Sequence, residues 1–255
     1  MPPELAPRAL DLLLRKLLSH SLLSTDDQNA IAALPFTLRR FDAGGFIIRE
    51  GERCDICPIL LSGFAYRHKM TGDGGRQIVA LKLPGDPLDF QSLFLTQADH
   101  TVQALNPVEL AVVPNREIER LIVVRPSLSR AIVTDILVEA SIGREWLLNI
   151  GRRNALARLA HLICEIHYRL AISATNLVES DLPVTQEQLA DLLGLTPVHI
   201  NRTLKELERA GAVARSGRRI RIGNLDRLRD LADFSDLYLH SQDAVMHDRG
   251  ARTGA

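Results

Sequence analysis

The side chains best suited to recognition chemistry in this sequence lie in one segment near the C-terminus. Arg202 can donate two parallel hydrogen bonds to O6 and N7 of guanine, and Asn201 can read adenine or hold a phosphate. A second basic group follows: Arg218, Arg219 and Arg221. Arginines grouped in this way suit phosphate contacts, which supply affinity without reading sequence. These residue types predict contact with double-stranded DNA.

The elements that must position these side chains are visible in the local sequence. Thr185 with Gln188 forms a capping box that opens a helix through Leu193, and Gly194 ends it. Thr196 then caps a second helix, with Pro197 at its first position. Two helices joined by a glycine-bearing turn predict a helix-turn-helix, whose second helix enters the major groove. Its predicted contact residues are Thr196, Val198, His199, Asn201, Arg202 and Lys205.

The residues after this motif predict a two-stranded hairpin from Val213 to Ile222. Its turn is expected at Ser216-Gly217, with apolar residues on one face and the arginines on the other. Such a hairpin beside a helix-turn-helix predicts a wing that contacts phosphates.

The charge distribution agrees with this placement. The chain has 31 Lys and Arg against 31 Asp and Glu over 255 residues, so its bulk charge indicates no polyanionic partner. Residues 151–223, however, carry 11 Lys and Arg against 7 Asp and Glu.

No apolar run is long enough for a membrane helix, and the N-terminus lacks a signal-peptide pattern. A cytoplasmic protein without a membrane partner is expected.

The first half of the chain has a different pattern. From about residue 36 to residue 113, short apolar runs alternate with glycine-bearing turns, which predicts an antiparallel roll or barrel. The runs are Phe46–Ile48, Ile59–Leu61, Ile78–Leu81 and Val108–Val113. A leucine-rich stretch over residues 4–19 predicts a short amphipathic helix before them.

A long helix is predicted between the two halves, over about residues 115–150, with its main part opening at Pro126. Its apolar stripe comprises Ile132, Ile136, Ala140, Gly143, Leu147 and Ile150, with a second line at Val138, Ile142 and Trp146. A helix that is apolar on two faces must pack on both sides, against the roll and against a second copy of itself. Packing of this helix wholly within its own monomer remains the alternative.

The expected domains are 1–150 for the roll and long helix and 151–240 for the winged helix-turn-helix, with a disordered tail over 241–255.

Cysteine and histidine residues offer few metal or catalytic sites. Cys54 and Cys57 have CxxC spacing at the start of a predicted strand, where ordinary buried thiols are favoured over a redox or metal role. His68 and His100 are possible haem or metal ligands, although lone histidines usually serve as surface or core residues. A metal-dependent barrel enzyme would need clustered His and Glu residues, and nucleophile, phosphate-loop and dinucleotide motifs are absent. The remaining alternative to DNA binding is a small-molecule-binding roll that docks a partner protein.

The sequence resembles the Crp/Fnr family of bacterial regulators. The resemblance rests on Gly194 to Leu204 in the helix-turn-helix and on Glu50-Gly51, Leu61-Ser62-Gly63 and Leu83-Pro84-Gly85-Asp86 as roll turns. It implies an α+β fold with an N-terminal antiparallel β-roll of the cyclic-nucleotide-binding, jelly-roll type, a long dimerisation helix and a C-terminal winged helix-turn-helix. It also implies a homodimeric transcription regulator that binds a palindrome, is controlled by an effector in the roll, and contacts RNA polymerase if it is an activator.

Residue by residue, the resemblance carries over in part. The family's guanine-reading arginine falls on Arg202, whereas its common acidic base-reader is replaced by Val198, which could touch a thymine methyl instead. The effector pocket would involve Gly85, Asp86, Leu88 and Phe90. Cyclic AMP is not expected, because no Lys or Arg lies between Asp86 and Asn115 to hold a phosphate. An iron–sulfur cluster is not expected either. Three of the family's four cysteine ligands lie near the N-terminus, and this sequence has no cysteine before Cys54.

Overall fold

The computed structural model describes residues 9–172, 184–216 and 219–241. Packing divides these residues into two units. The first contains the residues through Lys69 and Ala80–Ala140, and the second contains Met70–Val79 and Ser141–Leu239. The division falls after Ala140, earlier than the expected boundary at residue 150. No described helix is both long enough and apolar enough to cross a membrane.

The roll consists of two sheets packed face to face. One has the strand order β1-β7-β3 and the other β2-β6-β4-β5. The strands are β1 (Thr37–Phe41), β2 (Phe46–Ile48), β3 (Ile56–Ser62), β4 (Ala65–Met70), β5 (Arg76–Lys82), β6 (Thr101–Ala104) and β7 (Val108–Pro114). The core between the sheets is formed by buried aliphatic side chains such as Leu60, Val102 and Leu110. An antiparallel roll is therefore confirmed.

Four of these strands contain the apolar runs that predicted them, namely β2, β3, β5 and β7. The other three have no such run. In β1 four of the five residues are exposed, so it lacks an apolar face. In β4 the buried side chains include Arg67 and His68, which do not resemble a core pattern.

Helices cover the first sheet of the roll. These are α1 (Asp11–Leu18), α2 (Thr25–Ala32), α3 (Asn115–Val124) and the long α4 (Pro126–Arg152). The predicted N-terminal helix is present over Asp11–Leu18, and residues 4–8 of the predicted stretch lie outside the described part of the chain. Helix α2 was not predicted, although Ser24 and Asp27 form a reciprocal capping box at its start. Leu13 and Leu17 of α1 pack with Ile31 of α2 and Leu128 of α4 in a second core.

The second unit is built around α5 (Ala155–Ile172). It also contains α6 (Gln186–Leu193), α7 (Pro197–Arg209), β8 (Val213–Ser216), β9 (Arg219–Ile222) and α8 (Leu225–Ala232). The fully buried Glu165 of α5 accepts hydrogen bonds from Trp146 Nε1 at 2.9 Å, from Tyr238 Oη at 3.0 Å and from Arg169 Nη1 at 3.0 Å. Three donors stabilise this buried carboxylate, and two of them join α5 to the end of α4 and to Tyr238 after α8.

Candidate nucleic-acid interface

The first helix of the predicted helix-turn-helix begins and ends as its sequence indicates. Thr185 Oγ1 accepts from the Gln188 backbone N–H at 3.1 Å, and Gln188 Oε1 accepts from the Thr185 N–H at 2.9 Å. The turn after α6 requires Gly194, whose φ of 62° lies in the left-handed region that most residues avoid. The capping box and the glycine therefore fix where the first helix begins and where it ends.

The second helix, α7, starts at Pro197 behind the N-cap residue Thr196. Thr196 Oγ1 accepts from the His199 backbone N–H at 3.3 Å. Ile200 and Leu204 on the inner side of α7 are buried with Leu189 and Leu193 of α6. This apolar contact sets the angle between the helices, and the predicted helix-turn-helix is confirmed.

The outer side of α7 presents a row of exposed side chains suited to a DNA groove. Val198 is 81% exposed, and Arg202 and Lys205 lie one turn and two turns further along the same side. Arg202 Nε is 3.8 Å from Glu206 Oε1, an exposed pair one helical turn apart. Such pairs contribute little, so a better acceptor can displace Glu206 from the guanidinium. Thr196 and His199 are also exposed, at the helix N-terminus.

Asn201 is placed differently from its neighbours. It is half-buried, and its Nδ2 lies 3.5 Å from Oε1 of Gln186, the first residue of α6. The two amides line an open cleft of about 430 Å³ together with Pro197, Val198, Arg202 and Lys205. Gln186 was not predicted as a contact residue, because only the pairing of α6 with α7 brings it to this surface. In the sequence, the one indication of this role is that Gln186 lies next to the N-cap residue of α6.

The wing is present beside this helix. Strands β8 and β9 pair antiparallel with Ala214 opposite Arg221 and Ser216 opposite Arg219. Strand β8 continues through Ser216, which was predicted to lie in the turn, and the other predicted turn residue, Gly217, lies outside the described residues. Arg221 is exposed, whereas the predicted contact Arg218 lies outside the described residues and Arg219 is described by its backbone alone.

The predicted dimerisation stripe on α4 requires a correction. Ile132 is buried in the core of the first unit, and Ile136 packs against that core. The exposed aliphatic residues on α4 include Val133, Leu137, Ala140, Leu147 and Leu148, while Gly143 and Ile150 are half-buried. Leu137 is 61% exposed and Leu147 is 74% exposed. Apolarity alone could not separate the face that meets the roll from the face that remains open.

The predicted effector-pocket residues are all buried by the chain itself. Leu88 belongs to the core between the two sheets, and Phe90 belongs to the core beneath the helices. Gly85 and Asp86 form a turn hydrogen-bonded to β3, with the Gly85 N–H donating to the Leu60 carbonyl at 2.7 Å. These four residues are therefore packed in the interior of the roll.

The expectation that no cation lies near this turn is wrong. Arg67 of β4 donates through Nη2 to the Leu88 carbonyl at 2.9 Å, and Lys82 of β5 donates to the Pro87 carbonyl at 3.2 Å. Both cations come from strands that precede Asp86 in the sequence. The sequence between Asp86 and Asn115 gave no sign of these two cations, because only the fold brings β4 and β5 to this segment.

The cysteine and histidine candidates belong to the first unit. Cys57 is fully buried in β3, and burial raises the pKa of its thiol and that of the half-buried Cys54. His68 and His100 are buried in the roll, and burial together with Arg67 lowers the pKa of His100. Within the described residues, no three His, Cys, Asp or Glu side chains are grouped to hold a metal ion.

The arrangement defines a class of protein, a regulator with a winged helix-turn-helix attached to a β-roll. Comparison with known families agrees with it: residues 38–124 match the cyclic nucleotide-binding domain, and residues 157–231 match the Crp-like helix-turn-helix domain. The solved structure of FixK2 from Bradyrhizobium japonicum superimposes with a TM-score of 0.71 at 24% identity, covering 79% of this chain and 100% of that one.

Two curated relatives extend this similarity to most of the chain. The transcriptional activator protein FnrL of Cereibacter sphaeroides is 31% identical over 71% of this chain and 74% of its own length. The nitrogen fixation regulation protein FixK of Bradyrhizobium diazoefficiens is 30% identical over 68% of this chain and 73% of its own. The chain belongs to the Crp/Fnr family of DNA-binding transcription regulators, which are not enzymes.

Proposed function

We propose that two copies of this chain pair through the exposed apolar face of α4 and read a palindromic DNA site with their α7 helices. The observation that carries the proposal is the exposed row on α7, where Val198, Arg202 and Lys205 project from a helix that is capped by Thr196 and follows the left-handed turn at Gly194. A helix held in this way meets the major groove with its N-terminal half.

Each side chain in the row has a chemical role in this proposal. Arg202 donates to O6 and N7 of a guanine, and Val198 packs against a thymine methyl. Asn201 reads an adenine or holds a phosphate, with Gln186 beside it in the same cleft. The half-site therefore differs from one read by an acidic residue at position 198, which would accept from cytosine N4.

The wing contributes affinity without sequence preference. Arg221→Ala should weaken binding to specific and random duplexes alike and reduce the slope of log K against log salt by about one unit, as expected for one lost phosphate contact. Salt titrations of DNA binding followed by fluorescence anisotropy measure this slope. Arg227→Ala, which removes an exposed arginine from α8, is the matched control. A slope unchanged by Arg221→Ala would remove this residue from the interface.

The proposal requires no iron–sulfur cluster. The sequence contains three cysteines, fewer than the four thiolates such a cluster normally takes. Cys57 is inaccessible within β3, and Cys164 is buried in α5, where burial raises its thiol pKa to about 12. These thiols resist the deprotonation that iron ligation needs.

The proposed partner of the DNA-bound dimer is RNA polymerase. Run-off transcription with purified polymerase, from a promoter carrying the preferred site, tests the whole proposal. The wild-type protein should change transcript yield at concentrations that occupy the site, and Arg202→Ala should do so only at higher concentration. Full occupancy without any change in yield would show that the protein does not act through polymerase.

A further inference from the structure

A cluster of buried charges joins the roll to α4 beside the Gly85-Asp86 turn. Arg67 Nη1 and Lys82 Nζ both donate to Oε1 of Glu139, at 2.8 and 2.5 Å. The side chains of Arg67 and Lys82 are only 8% and 3% exposed. Cations removed from water to this degree need a counter-charge, and a carboxylate from α4 supplies it to both.

Helix α1 packs against the same Gly85-Asp86 turn. Lys16 Nζ is 2.6 Å from Asp86 Oδ1 and 3.2 Å from Asp135 Oδ1. A Cβ atom added at Gly85 would lie 2.9 Å from the Leu12 carbonyl oxygen, so α1 rests directly on the turn. Every residue from 81 to 90 is buried. Helix α1 also lies outside the matched range of the cyclic nucleotide-binding domain, 38–124.

The side chains of the cluster are paired within the chain. Burial by itself would raise the pKa of Glu139, but Lys82 and Arg67 outweigh this effect and lower it to about 2, so the carboxylate is ionised at neutral pH. Burial lowers the pKa of Lys82, and the Glu139 carboxylate opposes this effect. The contacts join three basic side chains, Lys16, Arg67 and Lys82, to three acidic ones, Asp86, Asp135 and Glu139.

We propose that Glu139 is a built-in ligand of the roll, whose carboxylate takes the place of an anionic effector between Arg67 and Lys82 and holds α4 against the roll without any small molecule. A cyclic nucleotide does not fit this arrangement. Its phosphate would have to displace Glu139 from both cations, and α1 covers the turn beside them. The inference deepens the proposed function, because it concerns how the roll of the same regulator controls its long helix.

The test is the melting temperature of the full chain with Glu139→Ala, with inorganic phosphate, cyclic AMP or chloride at equal ionic strength. Removing one partner of a buried ion pair should lower the melting temperature by roughly 6 to 20 °C. Millimolar phosphate should recover at least about half of this loss by occupying the vacated position, whereas chloride should not. The wild type and the control Glu119→Ala, at an exposed glutamate of α3, should respond to neither phosphate nor cyclic AMP.

A second variant keeps the test decisive if Glu139→Ala does not fold. The double change Lys82→Met with Glu139→Ala removes one of the two cations together with the carboxylate and leaves Arg67 unpaired, so its melting temperature should rise with phosphate and not with chloride. Saturable stabilisation of the wild type by phosphate or cyclic AMP would overturn the inference, as would a folded variant lacking Glu139 that ignores phosphate. Melting does not involve DNA, so this result and the DNA-binding result can fail independently.

Discussion

Leu137→Asp should convert the protein into a monomer and weaken its binding to a palindromic site by about 100-fold or more. Leu137 is the exposed apolar residue near the middle of the open face of α4, and a second copy of the helix would bury it. A carboxylate at that position would have to be desolvated without a partner. Separate monomers also lose the effective concentration that linked half-site contacts provide, which is worth about 10²- to 10⁴-fold.

Sedimentation equilibrium and fluorescence anisotropy with a palindromic duplex measure the two effects. Val123→Asp is the matched control, because Val123 is similarly exposed but lies on α3, away from this face. Its expected result is a dimer with unchanged affinity. A Leu137→Asp protein that remains dimeric would show that the copies pair through another surface.

Arg202→Ala should lower affinity for the preferred site by about 5- to 150-fold, corresponding to a loss of roughly 1–3 kcal/mol for one bidentate guanine contact. Affinity for random-sequence duplex should change little, since a base contact makes no contribution there. Anisotropy titrations with both duplexes at one salt concentration give the ratio. The control is Arg209→Ala, which removes the same charge from the exposed C-terminal end of α7. Equal losses on the two duplexes would contradict a base-reading role for Arg202.

The DNA-reading unit could be predicted from sequence because its signals are local. The capping box at Thr185, the left-handed Gly194 and the Thr196-Pro197 pair each fix a helix end within a few residues. Their order then determines which side of α7 is exposed. The contribution of Gln186 could not be seen, since it depends on how α6 crosses α7.

The control elements of the roll could not be predicted, because they depend on contacts between distant segments. Arg67 and Lys82 belong to different strands and meet Glu139 of α4 only in the folded chain. The proposed dimerisation face could not be predicted from the sequence for the same reason. Ile132 and Leu137 are equally apolar in sequence, yet packing against the roll buries the first and leaves the second exposed.

The most direct test of the central claim is selection of binding sites from random DNA by the purified full-length protein. A dimer that reads two major grooves should enrich a palindrome whose half-sites are centred about 10 base pairs apart, or a multiple of one helical turn. Each half-site should contain a guanine whose enrichment disappears with Arg202→Ala. Recovery of unrelated or non-palindromic sequences, or of the same guanine with the variant, would contradict the account of a dimer reading DNA through α7.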